Sequence, residues 1–494
     1  MVVTRAQTPC RQRSAYLVDG ITSKDRVLSI NDPDVGTLEA ALMERMYFCK
    51  VDGEFKPPLC PDKNYVFNTL HKFRSRLLKN AKWTPKISPE QFVQMYVGRK
   101  RTIYDNALPE FYATGVLKKH ALSNPFVKCE KVKPTSAPRC IQPRKPVYNI
   151  GVGTYLKANE HTLYKAIAKV FGDQTPVVMK GMNVKQIAEA LYQKWIAVPE
   201  CVCIGLDATK FDMHVSMYML MWEHSIYIIL SGDCPELKRL LRMQLHNVGV
   251  GFCEDGKLRY KVDGRRFSGD MNTALGNCII MCAMVYAYSQ ERQVPIKFGN
   301  NGDDCVVFMS RKYEPAFRNG LEEWFLRLGF RMAVEQTVNR FTDVEFCQMH
   351  PVQAGGEWVM VRNFDTAREK DSLSVIPLDS ESMFRKWIYA VGEGGVALTS
   401  GVPIFQAMYL CYMRNGKKSN IGKHPAMATG MRLMGQGLTC RAQTVTPMAR
   451  ATFFEAWGYT PDEQEELERY YNDLVLGFMP RAIDSFAEYQ HAPL

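Results

Sequence analysis

The clearest signals along this chain are short apolar runs broken by small polar residues. KFGNNGDDCVVFM, Lys297 to Met309, sets Phe298 and then Val306, Val307, Phe308 and Met309 on either side of Asn300, Asn301 and Gly302. Apolar runs separated by Asn and Gly read as strand, tight turn, strand, with Asp303 and Asp304 at the tip. Cys201 to Leu206 is a second apolar run and reads as a buried strand. Asp207 falls at its end, projecting from the sheet edge, and Asp212 falls on the first turn of the next element. From Met271 the period lengthens to that of a helix, with Leu275, Ile279, Cys282 and Tyr286 on one side. Thr273 and Asn277 are four apart and share a face of it. Ser268-Gly269 reads as a flexible loop before this helix, with Ser268 or Asp270 as its cap. Beyond about residue 355 the pattern is mostly helical. Thr460 and Glu463 form a capping box, Pro461 suits the first turn, and Gly477 ends that helix. Gly392-Glu393-Gly394-Gly395 reads as a flexible loop, and Gly151-Val152-Gly153 lacks the rest of a dinucleotide fingerprint.

Composition narrows the class. At 494 residues the chain allows several domains or one multi-lobed enzyme. Its longest apolar stretch, Gly276 to Tyr288, falls short of the ~20 residues of a membrane helix. The first residues lack the apolar core of a signal peptide. A cytosolic protein is expected, unless the chain is part of a longer product that carries an anchor. The 15 cysteines form no CxxC pair and there is no HExxH, which argues for reduced thiols and against zinc. The net charge of +12 is concentrated. Between Lys63 and Lys145, 18 Lys and Arg stand against 4 acids, so this stretch carries +14 and the remainder −2. Such a region suits a polyanion, most often nucleic acid. Lys72 to Trp83 reads equally as a solvated basic helix face.

Two adjacent carboxylates at Asp303 and Asp304 need an explanation. At ~4 Å like charges repel by about 1 kcal/mol in water and about 4 kcal/mol at an effective dielectric of 20. A solvated turn tolerates them; a divalent cation such as Mg²⁺ would offset the repulsion. Likewise, a capped core helix accounts for Met271 onward but not for a polar Thr273/Asn277 face within an apolar run.

The order and spacing of further motifs bear on this choice. Asp207 and Asp212 form D-x4-D. Ser268, Gly269, Thr273 and Asn277 form SG-x3-T-x3-N, and Gly302-Asp303-Asp304 follows 25 residues after Asn277. Together these resemble the palm motifs of viral RNA-dependent RNA polymerases. VKCEKVKPTSAPRCIQPRKP (Val127 to Pro146) resembles the basic fingertip motif of positive-strand RNA virus polymerases. LGFRMAVE (Leu328 to Glu335) fits the helix and strand that precede VEFCQMHPV (Val344 to Val352), which resembles the primer-grip hairpin of Tombusviridae, including carmovirus-like members. The resemblance is firm over about 110–352.

The resemblance implies an α+β right-hand polymerase: an antiparallel palm sheet flanked by helices, with a mainly helical thumb. It implies an N-terminal extension and fingers over 1–195 with the fingertip loop at 127–146. The palm would occupy 196–216 and 263–354, a fingers insertion 217–262, and the thumb 355–494. Asp207, Asp303 and Asp304 are expected to hold two Mg²⁺ or Mn²⁺ ions for nucleotidyl transfer. Asp212, Thr273 and Asn277 would read the ribose 2′-hydroxyl, and Ser268-Gly269 would flex beside the templating base. Lys131, Lys133 and Arg139 are candidates for the triphosphate. Lys128 and Arg144 would track template or a structural acid such as Glu130, and Arg331 is a candidate proton donor. Arg414 to His424 is a basic loop that touches the duplex or is simply solvated. The expected partners are single-stranded RNA template, product duplex and rNTPs. A viral auxiliary protein or upstream membrane-targeting region would recruit the chain, in the host cytoplasm, to membrane-bound replication complexes. The rivals are a reverse transcriptase-like polymerase and a catalytically silent RNA-binding replicase subunit.

Overall fold

The structure, a computed structural model, describes residues 1–22, 28–424, 427 and 430–485. Of the expected thumb span, 425–426, 428–429 and 486–494 lie outside the described residues, as do 23–27 of the first span. Helices and small antiparallel sheets alternate along the chain, an α+β mixture. At its centre is a four-stranded sheet of β1 (Cys201–Ala208), β2 (Lys297–Asn301), β3 (Asp304–Ser310) and β4 (Met332–Val334). Its order is β2-β3-β1-β4, antiparallel throughout.

Both faces of this sheet are buried. Cys305, Val307 and Met309 of β3 join one core, which also holds Leu275, Ile279 and Cys282 of helix α2 (Thr273–Arg292). Val306 and Phe308 join a second core shared with Phe405 and Tyr409 near the C-terminus. The unbroken VVFM run is therefore an ordinary two-residue alternation between two dry faces. Each such side chain contributes ~1.5–3 kcal/mol on burial. Helix α1 (Met217–Leu230) packs on the first core through Met219, Trp222 and Ile226.

Three local expectations change. β1 runs to Ala208 because Met332 of β4 pairs with Ala208, so Asp207 lies inside the strand, not beyond it. Asn301 pairs with Asp304, which leaves Gly302-Asp303 as a two-residue loop and makes Asp304 the first residue of β3. Gly302 has φ +82° and Asp303 is not in the left-handed region, the pattern of a type II′ hairpin turn. Helix α2 begins at Thr273 with Asn272, not Ser268 or Asp270, at its cap. The side chains of Ser268 and Asp270 are engaged by Gln142 and Arg144 instead.

The C-terminal half is largely helical, as expected, with two revisions. Gly392-Glu393-Gly394-Gly395 lies inside helix α3 (Glu381–Thr399). A Cβ at Gly392 would stand 2.6 Å from the Tyr409 carbonyl oxygen, and one at Gly395 2.2 Å from the Tyr409 ring. These glycines let α3 cross closely over helix α4 (Phe405–Asn415). Helix α5 (Pro461–Asp473) has the Thr460/Glu463 capping box but stops before Gly477. The carbonyl of Leu474 is taken by the side chains of Arg414 (3.0 Å) and Asn415 (3.2 Å).

Distant parts of the chain share sheets. Ser14–Leu17 is paired on one side with Leu373–Ser374 and on the other with Arg481–Asp484. Ser29 bridges to Val132 in the basic loop. The hairpin β5 (Met349–Ala354) and β6 (Glu357–Arg362) straddles the 354/355 boundary.

Gly302→Ala should destabilise the fold by about 1–2 kcal/mol, the cost of a Cβ in left-handed backbone. Denaturant unfolding of the two proteins would measure it, and an unchanged midpoint would contradict the turn assigned here.

Candidate active site

The register of the central sheet assembles the acids. Asp304 pairs directly with Asp207, and Ala333 of β4 pairs with Asp207 from the other side. Directly opposed residues in an antiparallel sheet have Cα atoms ~4.5–5.5 Å apart with side chains on one face. Asp303 stands beside them in the turn. Asp207 and Asp303 reach solvent, and Asp304 is half-buried.

Their electrostatics follow. Burial and then the Asp303 charge push the Asp304 carboxyl up to about 7, while a hydrogen bond from the Cys347 main-chain N–H opposes this. Partial burial and the Asp303 charge raise Asp207 as well. Glu335 adds to the negative charge; its own carboxyl is raised by burial, by Glu345 and by Asp207. Gly205 makes room for it, since a Cβ there would stand 1.9 Å from Glu335 Oε2.

Several contacts that sequence spacing does not reveal hold this geometry. The Asn300 amide is buried and closes the acid turn from within, donating to the Gly302 carbonyl (2.7 Å) and accepting from the Gly302 N–H (3.2 Å). Val177 to Met179 runs along the edge of β2, bonded to Asn300. It delivers Lys180, whose Nζ is 3.6 Å from the Cβ position of Gly302. Cys347 and Gln348 have φ of +53° and +59° in the turn between Phe346 and Met349. Non-glycine residues there cost ~1–3 kcal/mol each and persist only where the surroundings impose them. Here the turn places the Cys347 N–H on Asp304, and Asn301 Nδ2 donates to the Cys347 sulfur at 3.1 Å. No sequence period marks such contacts, because their partners lie far apart along the chain.

The polar helix face is also accounted for. Asp212 lies on a one-turn helix, Phe211–His214, and accepts from Asn277 Nδ2 at 2.9 Å. Burial raises the Asp212 carboxyl, the Asn277 bond opposes this, and Asp303 raises it further. Asn277 Oδ1 in turn accepts from Arg266 Nε at 2.9 Å. Arg266 forms a fully buried ion pair with Glu223 of α1. Glu223 also accepts from Tyr227 (2.7 Å) and Asn272 (2.9 Å). Thr273 lies one turn from Asn277, its hydroxyl donating to the Phe267 carbonyl at 2.6 Å.

Not every expected residue reaches this place. Ser268-Gly269 is not a free loop: Pro143 bridges to Gly269, and a Cβ on Gly269 would stand 2.6 Å from the Gln142 carbonyl oxygen. Of its two expected roles Arg144 takes that of pairing a structural acid, Asp270 and not Glu130. It is buried, paired with Asp270, and donates to Ala121 O and Asn247 Oδ1, each at 2.7 Å. Glu130 is held by Lys128 (3.0 Å) and Arg139 (3.4 Å). Lys131 is drawn away from a triphosphate, because its Nζ donates to the Lys370 carbonyl in the C-terminal half. Lys133 is exposed. Arg139 is exposed and near enough to Asp212 for its charge to be felt there. Arg331 sits before β4 with its carbonyl bonded to Thr209, and its charge acts on His214. The Asp207 carboxyl is raised by partial burial and by Asp303, with no contribution from Arg331.

Among the described residues no three His, Cys, Asp or Glu side chains already close around one ion. The donor set nevertheless suits a hard divalent cation: three carboxylates held together against their repulsion, two of them raised by burial and then by Asp303.

Comparison with known proteins decides the family. A family model described as viral RNA dependent RNA polymerase matches residues 1–477. The chain belongs to that family. The RNA-directed RNA polymerase of Oat chlorotic stunt virus is 38% identical over 491 residues, covering 94% of this chain and 65% of the relative. That of Tobacco necrosis virus (strain A) is 37% identical over 477 residues, 96% and 65%. That of Turnip crinkle virus is 38% identical over 457 residues, 90% and 58%. The resemblance to Tombusviridae polymerases holds. The chain spans 58–65% of the length of these relatives.

In this polymerase-family chain the two halves of the buried ion pair depend on one another. Arg266→Met alone leaves the Glu223 carboxylate buried and unpaired, which should cost about 3–5 kcal/mol. Adding Glu223→Gln should recover most of that. Chemical denaturation of the single and double variants checks this, and equal stability of the two would contradict a charged pair.

Proposed function

We propose that this chain is the catalytic core of template-directed RNA synthesis, joining a 3′-hydroxyl to the α-phosphorus of an rNTP and expelling pyrophosphate. The observation that carries this reading is the Asp304–Asp207 register, which puts three acids at one end of one sheet. Asp207, Asp303 and Asp304 would hold two Mg²⁺ or Mn²⁺ ions. Such ions, when bound, neutralise charge on the attacking and leaving oxygens. Asp212, Asn277 and Thr273 bind the ribose 2′-hydroxyl, which is both donor and acceptor. Arg139 and Lys133 attract the triphosphate, and Lys128 tracks template. Ser268-Gly269 packs under Gln142-Pro143 beside the templating base. In this reading the central sheet is the palm of a right hand, the basic N-terminal part its fingers and the helical C-terminal part its thumb. The partners are single-stranded RNA, the product duplex and rNTPs, with recruitment to membrane-bound complexes in the host cytoplasm by an auxiliary protein or membrane-targeting region. No helix among the described residues is long and apolar enough to cross a membrane.

Template-dependent incorporation of labelled rNTPs and dNTPs on single-stranded RNA, in Mg²⁺ and in Mn²⁺, tests this. Wild-type protein should incorporate rNTPs, and Asp303→Asn should lose at least about 100-fold, the scale of one lost transition-state stabiliser. Preference for dNTPs would favour a reverse transcriptase, and RNA binding without incorporation a silent subunit.

Proton linkage gives a second test. The Asp304 carboxyl stands above its ordinary 3.8, at about 7. Between those values the folded state keeps a proton that the unfolded state has released, so this group's contribution to metal-free stability is lost as pH rises through about 7. Cations compete with that proton. Mn²⁺ should therefore raise the melting temperature more at pH 8 than at pH 6, and Asp304→Asn should flatten the difference. A Mn²⁺ effect independent of both pH and Asp304 would remove this carboxylate from the metal site.

A further inference from the structure

Asn277 joins the carboxylate of the ribose-facing acid Asp212 to the Arg266 guanidinium, and the Arg266 main-chain N–H donates to the Asp212 carbonyl at 2.9 Å. Chemistry dictates which way its amide points. A carboxylate accepts only, so the nitrogen must face Asp212; a guanidinium donates only, so the oxygen must face Arg266. With the amide so fixed, one N–H of Asn277 and one oxygen of Asp212 remain. That is one donor and one acceptor side by side, the complement of a hydroxyl that both accepts and donates.

Without Arg266 only the Asp212 carboxylate orients this amide, and the oxygen side of Asn277 loses its donor. A flipped Asn277 would turn its carbonyl toward the carboxylate, and both would then be acceptors. Arg266 is itself braced: Glu223 pairs with it, Tyr227 and Asn272 hold Glu223, and Gln244 Nε2 donates to Asn272 Oδ1 at 2.9 Å. Gly276 on α2 makes space for the pair, since a Cβ there would stand 2.2 Å from Glu223 Oε1 and 2.3 Å from Arg266 Nη2. Arginine suits the role better than lysine, because its planar fork reaches Glu223 and Asn277 at once from fixed directions.

We propose that Arg266, braced by Glu223, is a positioning residue that sets ribose selectivity by fixing the amide of Asn277 against Asp212. This rests on the reading of Asp212 and Asn277 as the ribose site. Arg266 touches no nucleotide; it acts through Asn277. Its loss should therefore move discrimination between sugars more than RNA binding or the metal requirement.

The test compares incorporation of one rNTP and its 2′-deoxy analogue by wild type and by the double variant Arg266→Met with Glu223→Gln, which leaves no orphan buried charge. Circular dichroism and binding to single-stranded RNA confirm that the variant is folded. The wild-type kcat/KM ratio of rNTP to dNTP should fall about tenfold or more in the variant, the effect of losing one oriented buried hydrogen-bond set. Gly276→Ala, which forces the ion pair aside with all of its charges retained, should lower the same ratio. An unchanged ratio in either folded, RNA-binding variant would overturn the positioning role while leaving the ribose site in place. A wild-type enzyme that incorporates both sugars equally would overturn the ribose reading, and the positioning role with it.

Discussion

The repulsion between carboxylates that β1 and β3 hold in register sets the terms for the rest of this molecule. Asp207 and Asp304 face each other across an antiparallel pair, with Asp303 in the adjoining turn. Left to themselves such groups would separate or take up protons, and burial together with the Asp303 charge raises both the Asp304 and the Asp207 carboxyls. They stay together because the backbone beneath them has no freedom. The strands carry apolar side chains into cores on both faces, so a one-residue slip would turn each inward side chain to the wrong neighbour.

Around that sheet, polar side chains tie the site to its own turn and to distant parts of the chain. Asn300 ties the acid turn to its own strand, and the strained Cys347-Gln348 turn supplies an N–H to Asp304. The Arg266–Glu223 pair connects α1 to the residues ahead of α2 and through Asn277 to Asp212. A second buried pair, Arg144 with Asp270, secures the basic segment to the loop that precedes α2. Buried pairs contribute little net stability compared with apolar replacements, but they specify one arrangement when every partner is present. The proposed site, which would recognise a sugar and hold cations, would need that single arrangement.

Glycine has two separate uses here. At Gly302 it provides backbone that other residues rarely adopt. At Gly269, Gly276, Gly392 and Gly395 it provides space, for a backbone, an ion pair or a crossing helix. The second use explains why the Gly392–Gly395 stretch misleads as a loop: composition alone cannot tell a flexible glycine from one pressed against a neighbour.

The sequence by itself determined the elements and the chemistry: the acid-bearing strands and turn, the helix with Thr273 and Asn277, the capping box at Thr460, and a motif order that places the chain in its family. Those features depend on neighbours within a few residues, where periodicity and turn preference act directly. Only the tertiary structure decided which charges meet. Arg144 and Lys131, basic residues in a basic loop, are occupied by Asp270 and by the Lys370 carbonyl. Lys180, Arg266 and Glu223, which carry no local signal, stand at or behind the site. Hydrophobic pattern fixes a residue's face, but the partner of a charge is whichever group folding brings within about 3 Å, and that is a property of the whole chain.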